Sequence, residues 1–336
     1  MTAITGETRP DVGRISARAL FYAAAQQVQT QSITFPEPSA EEVLVRTGWS
    51  CVSRGTERLV FQGQVPESEH ERMTAPFQEG AFPFPVKYGY AAVGEVELGP
   101  QDLVGKNVFC LFPHQDLFVA PVASVVPLPD DLPPRRAVLA ANMETALNGL
   151  WDAGAGPGDR IAIVGGGVLG GLLAGICGDL PGADVTLIDV APQRKSLADR
   201  INVTFAAPAD APSNVDIVFH TSATEAGLAT ALGCLGREGK LVEMSWFGSG
   251  RPSSPLGGAF HSQRLTMISS QVGEVAPSRR PRWSHGRRLA KALELLRNDK
   301  YEALLTGEVS FEDLPDAIPR ILADGADGLA TAVRYR

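Results

Sequence analysis

The chain lacks any uninterrupted apolar run approaching the roughly eighteen residues that a membrane-spanning helix needs. The stretch Met1 to Arg18 is polar and charged, without the apolar centre of a signal peptide, so a cytoplasmic protein is expected. Positive charge is in deficit: a formal net charge of −8 gives no overall field to hold nucleic-acid phosphates, which argues against a nucleic-acid partner. Cysteine is scarce too. Cys51, Cys110, Cys177 and Cys234 form no Cys-x-x-Cys pair, and structural zinc sites bring their thiolates in close-set groups. Reduced, buried thiols are the expectation. Internal repeats and low-complexity segments are missing as well. What remains is 336 residues, 44% hydrophobic and 20% charged, enough for a large core and about two domains.

Residues 1 to about 13 read as a loose tail. From there to about 130 the chain reads as short strands broken by Pro and Gly, among them Glu42–Arg46, Ala91–Val96, Asn107–Phe112 and Leu117–Ala120. A proline-containing passage, Pro127 to Pro134, precedes a helical run at Arg136 to Ala153. Strand and helix then alternate: strands at 160–164, 184–189, 215–219 and 239–244, helices at 168–178, 192–200 and 225–234. Such alternation specifies a parallel sheet with crossover helices. After a strand near Leu265 to Ser270 come a helix at 285–298, the segment Leu304 to Ser310, a helix at 311–323 and a last strand at 328–334.

The most informative run is Ile161-Ala-Ile-Val-Gly-Gly-Gly-Val168-Leu169-Gly170. An apolar strand that breaks into Gly165-x-Gly167-x-x-Gly170 and enters a helix leaves free N–H groups at the helix N-terminus, where the dipole favours a pyrophosphate. Gly165 permits the tight turn, Gly167 the approach of the ligand, and Gly170 the packing of helix on strand. Asp189 closes the following strand, placed to accept from ribose hydroxyls. A dinucleotide cofactor is therefore expected. Asp189 would repel a 2′-phosphate, which favours NAD, while Arg194 and Lys195 leave NADP open. Five arginines, Arg279, Arg280, Arg282, Arg287 and Arg288, crowd one short stretch; they either face an anionic ligand or form a solvated loop and helix start.

The order of parts resembles the medium-chain dehydrogenase/reductase superfamily over nearly the whole chain. Gly89-Tyr-Ala-Ala-Val-Gly94-Glu-Val96 is similar to its Gly-His-Glu-x-x-Gly-x-Val segment, and Asn142-Met-Glu-Thr145 to its Cys-x-x-Thr turn. The front motif around Ser53-Arg-Gly55-Thr56-Glu57, continued by Gly63-Gln-Val-Pro66, resembles the zinc-free branch containing bacteriochlorophyllide dehydrogenase. The resemblance implies an α/β protein: a GroES-like β-rich catalytic domain at 1–143, completed by 272–336, and a Rossmann doubly wound parallel-sheet domain at 144–271. It also implies contact of Thr145 with the nicotinamide carboxamide, and a homodimer joined through edge strands of the nucleotide domain.

Where zinc-dependent members hold the catalytic metal, this chain offers Ser53, Tyr90 and Asn142, none of them a good zinc ligand. The lobe that binds structural zinc in relatives is also missing, and no zinc is expected. Interconverting an alcohol and a ketone then needs a side chain that can hydrogen-bond the oxygen and exchange its proton. Tyr90 stands at the vacated His position, and His114 lies where relatives place substrate-pocket residues. Ser53 and Thr56 are candidates to relay a proton, and Glu57 to orient His or Tyr. Each has a plainer reading as a core or turn residue with its polar group satisfied. The expected function is a zinc-independent, NAD(P)-dependent oxidoreductase acting on a secondary alcohol or ketone as its small-molecule partner. Two other readings stand beside it: an NADPH-dependent quinone or enoyl reductase, and a non-catalytic NAD(H)-binding protein.

Overall fold

The computed structural model describes residues 14–335; the tail expected at residues 1 to about 13 lies outside the described residues. Strands Thr204–Ala206, Asp184–Ile188, Arg160–Val164, Val215–His220, Leu235–Glu243 and Thr266–Ser269 lie side by side in that order, every pairing parallel. In chain sequence this is the order 3-2-1-4-5-6 of a doubly wound sheet, whose ligand crevice opens at the carboxyl ends of the strands where the order reverses. The central strand is apolar throughout because both its faces are covered. Ile161 and Ile163 pack with Leu172 and Leu173 of the helix Val168–Gly178, while Ala162 and Val164 pack with Leu228, Ala231 and Leu232 of the helix Glu225–Cys234.

The front of the chain forms two further sheets. A long hairpin, Arg14–Ala24 with Gln27–Pro36, is extended by Val86–Lys87 and Glu79–Gly80. The second sheet runs Leu305–Ser310, Ala330–Arg334, Glu42–Val52, Ala92–Leu98, Asn107–Cys110 and Val125–Pro127, with Leu117–Pro121 paired on Glu42–Val52. The return segment thus completes the front sheet, and its last strand places Tyr335 beside the front core. One continuous core, from Val93 and Phe109 through Leu139 and Met143 to Ile161, joins this sheet to the parallel one.

Several boundaries differ from the sequence reading. The run expected as one helix at 136–153 is two, Pro134–Ala137 and Ala140–Ala153, broken by a tight turn at Val138 and Leu139. The helix expected at 192–200 is a 3-10 turn followed by Lys195–Arg200, and that expected at 311–323 spans Leu314–Ile321. The hairpin Arg14–Pro36 and the strand Thr204–Ala206 were not singled out in sequence. No helix among the described residues is long and apolar enough to cross a membrane.

Candidate active site

A cleft of about 1140 Å³ runs between the carboxyl edge of the parallel sheet and the front sheets. Its nucleotide-facing wall is built by the glycine turn. Gly165 sits at φ +114°, and a Cβ there would fall 2.7 Å from the Ser222 backbone nitrogen. At Gly170 a Cβ would fall 1.8 Å from the Gly165 carbonyl oxygen, so helix and strand approach this closely only without a side chain. Gly167, Val168 and Leu169 line the cleft, and a Cβ on Gly167 would meet nothing within 4 Å. The helix that begins at Val168 has no side-chain cap. Its first-turn N–H groups therefore suit an anion.

Asp189 also lines the cleft, with its carboxylate already committed to shaping the turn. One oxygen accepts from the Gly166 N–H at 2.6 Å and the other from the Ala191 N–H at 2.8 Å. Each oxygen keeps a second lone pair for a ligand hydroxyl. Arg194 lines the same wall and donates to the Gly328 carbonyl at 2.8 Å, an acceptor shared with Arg54. Lys195 is an exposed partner of Asp199. Thr145 and Asn142 line the cleft, the Thr145 hydroxyl donating to the Ala141 carbonyl at 3.0 Å.

On the opposite wall, Ser53, Thr56 and Tyr90 come together. Tyr90 Oη donates to Ser53 Oγ at 2.5 Å and is also hydrogen-bonded to Thr56. Burial pushes the phenol up to about 12, against the hydrogen bonds to Ser53 and Thr56. At neutral pH it is therefore a proton donor. Ser53 precedes the helix Arg54–Gln62, yet its hydroxyl makes no cap, leaving it free for Tyr90. Glu57 reaches back instead, accepting from the Ser53 N–H at 2.6 Å.

Glu57 is the hub of a buried network that the cleft does not reach. It accepts from Tyr22 Oη at 2.5 Å and meets His114 Nε2 at 3.1 Å. His114 Nδ1 lies 2.8 Å from Ser50 Oγ, which lies 3.0 Å from Tyr335 Oη. With Glu57 ionised, Nε2 carries the hydrogen and Nδ1 of a neutral imidazole accepts from Ser50. His114, expected at the substrate pocket, is 1% exposed and stands behind Glu57 rather than in the cleft wall, because its ring is bonded inward to Glu57 and Ser50. Leu111 takes the place in the wall.

Three arginines of the rich stretch find partners within the protein. Arg279 and Arg287 lie over the rings of Trp151 and Trp283. Arg288 is buried, pairs with Glu144 at 2.9 Å and donates to Asn148 at 2.7 Å, and both members of the ion pair border the cleft. Among the described residues no group of three His, Cys, Asp or Glu side chains is placed to hold a metal ion.

No protein-family model matches the chain. Its fold does match solved structures closely. L-idonate 5-dehydrogenase from Escherichia coli K-12 superimposes with a TM-score of 0.79 at 16% identity, covering 96% of this chain and 99% of the other. A protein described as a zinc-binding dehydrogenase, from Sinorhizobium meliloti 1021 and bound to NADP, gives 0.76 at 16% identity, with 95% and 99% covered. A protein described as a short chain alcohol dehydrogenase, from Escherichia coli CFT073 and complexed with NADH, gives 0.76 at 15%, with 95% and 99% covered. The fold class is thus α/β, a GroES-like β-rich domain joined to a Rossmann domain, as in these dehydrogenases.

Proposed function

We propose that the protein is an NAD(P)-dependent oxidoreductase that interconverts a secondary alcohol and its ketone without zinc. One observation carries the reading: a single cleft has the glycine turn and uncapped helix on one wall and the Tyr90, Ser53 and Thr56 hydroxyls on the other. The pocket fits a dinucleotide, with Gly167 open on the ligand side and Asp189 placed for a ribose hydroxyl; NADP and NADH in two structural neighbours support a cofactor of this class. When bound, the nicotinamide supplies or accepts the hydride. The residues at the metal position of zinc enzymes do not fit that ion. Ser53 and Tyr90 are bonded to each other, and Asn142 offers only an amide.

In the reductive direction the substrate carbonyl oxygen takes the place of Ser53 as acceptor of the Tyr90 proton. A donor already aimed at the developing oxyanion avoids reorganising solvent. Ser53 and Thr56 hold the phenol in place and return a proton to it after turnover. Glu57 fixes the Ser53 backbone, and Tyr22 and His114 fix Glu57. Thr145 and the Arg288–Glu144 pair shape the floor beside the reacting centre. We assign NAD as the preferred cofactor from Asp189, and a homodimer as the assembly.

The test is turnover on a panel of alcohols, ketones and enones with both pyridine nucleotides, alongside elemental analysis. Ketone reduction by metal-free protein is the expected result. Activity confined to enones, or stoichiometric zinc lost together with activity on chelation, contradicts the reading.

A further inference from the structure

The carboxyl edge of the parallel sheet carries a second chemical constellation. His220 and Glu243 end adjacent strands in register, and His220 Nδ1 lies 2.7 Å from Glu243 Oε2. Two residues on, Ser222 Oγ lies 2.7 Å from His220 Nε2. Glu243's other oxygen accepts from the Ser245 N–H at 2.7 Å, which holds the carboxylate in place. An ionised carboxylate only accepts, so Nδ1 must carry the hydrogen, Nε2 must accept, and the Ser222 hydroxyl must donate to it. Thr224 completes the polarisation: its Oγ1 accepts from the Gly227 N–H at 3.0 Å and lies 3.0 Å from Ser222 Oγ, to which it donates.

This is the bonding order a nucleophilic serine requires, with base and orienting acid in place. The imidazole is fully buried, while Ser222 opens to the cleft together with Thr224, Ala226 and Gly227. A Cβ at residue 227 would fall 2.0 Å from Ser222 Oγ, so only glycine lets the helix come this near the hydroxyl. That helix, Glu225–Cys234, starts beside the serine. The N–H groups of Glu225 and Ala226 have no carbonyl ahead of them in the helix and suit an oxyanion.

We propose that Ser222, His220 and Glu243 form an acyl-transfer site that hydrolyses small activated esters, with Ser222 as nucleophile. Ser222 Oγ bonds to the acyl carbon as His220 Nε2 takes its proton and the carbonyl electron pair moves onto oxygen. The ester C–O bond then breaks, and the departing alcohol takes the proton from His220. Water attacks the acyl-serine, giving one proton to His220 and thence to Ser222 Oγ, and the acid leaves. Glu243 is a positioning residue, steadying the imidazolium. The step needs no nucleotide, but it takes place in the same cleft that the oxidoreductase reading assigns to one.

The experiment uses the full chain, p-nitrophenyl acetate as substrate and an alkyl fluorophosphonate as label, with peptide mapping by mass spectrometry. The expected result is one adduct, on Ser222, and a fall in ester hydrolysis of about 100-fold or more in Ser222→Ala and in His220→Gln. Glu243→Gln should lower hydrolysis less, with a changed pH profile. An unlabelled Ser222 in the parent protein overturns the proposal irrespective of how any variant folds. So does a correctly folded Ser222→Ala that cleaves the ester at the parent rate.

Discussion

Tyr90 donates to Ser53 at 2.5 Å across thirty-seven residues of sequence, bringing the loop before the strand Ala92–Leu98 and the start of a helix together at the cleft wall. Phenylalanine at position 90 removes that donor with almost no change of shape. The Tyr90→Phe variant should lose about 10²- to 10⁴-fold in kcat for ketone reduction, the range of a general acid. Its nucleotide affinity should stay at the parent value. Steady-state kinetics with a calorimetric Kd separates the two.

The pH dependence follows from the same phenol. Its pKa is raised from 10 to about 12, so the acid form is present throughout the neutral range. Reduction should show no loss attributable to Tyr90 between about pH 6 and 9. For stability, the unfolded chain loses this proton first, so the contribution of Tyr90 is intact below pH 10 and is lost as pH rises to about 12. Urea midpoints across that window should fall faster for the parent than for Tyr90→Phe.

Glu57 accepts from three groups in a site closed to solvent. Alanine there strands the buried Tyr22 and His114 and should cost about 3 kcal/mol. Glutamine restores one acceptor, for the Ser53 N–H, while its NH2 faces Tyr22 and His114, so it should recover only part of that loss, as read by urea denaturation.

The proposed preference for NAD rests on Asp189. Asparagine keeps the shape and an acceptor for the turn but removes the charge that opposes a 2′-phosphate. The ratio of KM for NADPH to that for NADH should fall about tenfold or more in Asp189→Asn.

Gly170→Ala places a carbon 1.8 Å from the Gly165 carbonyl, so the strand and helix must part. The expected cost is about 1 to 3 kcal/mol, as for overpacked cores, with loss of nucleotide binding at temperatures where the protein is still folded. Thermal unfolding and calorimetry read the two effects independently.

The parallel-sheet half was legible because its signals are local. Apolar strands covered on both faces, glycines at a turn and an acid at the next strand end are all read from neighbouring residues, and Asp189 stands beside Gly166 as that order implies. The front was less legible. Tyr22 meets Glu57 only because the hairpin Arg14–Pro36 packs over the helix Arg54–Gln62, and no spacing announces such a meeting. Ser50, on a front strand, and Tyr335, just past the last strand, were missed for the same reason. His114 illustrates the converse: proximity in sequence to Phe112 suggested the pocket, but the ring turns inward to Glu57. The Ser222, His220 and Glu243 set was invisible, since strand register alone brings His220 to Glu243.

The turn at 165–170 is proposed to grip a pyridine dinucleotide. Isothermal titration of the purified full chain with NADH and with NADPH tests it most directly. Saturable heat at one nucleotide per chain is expected, stronger for NADH, and abolished when Gly167 is replaced by a bulky residue such as tryptophan. No heat with either nucleotide, or binding unchanged by Gly167→Trp, contradicts it.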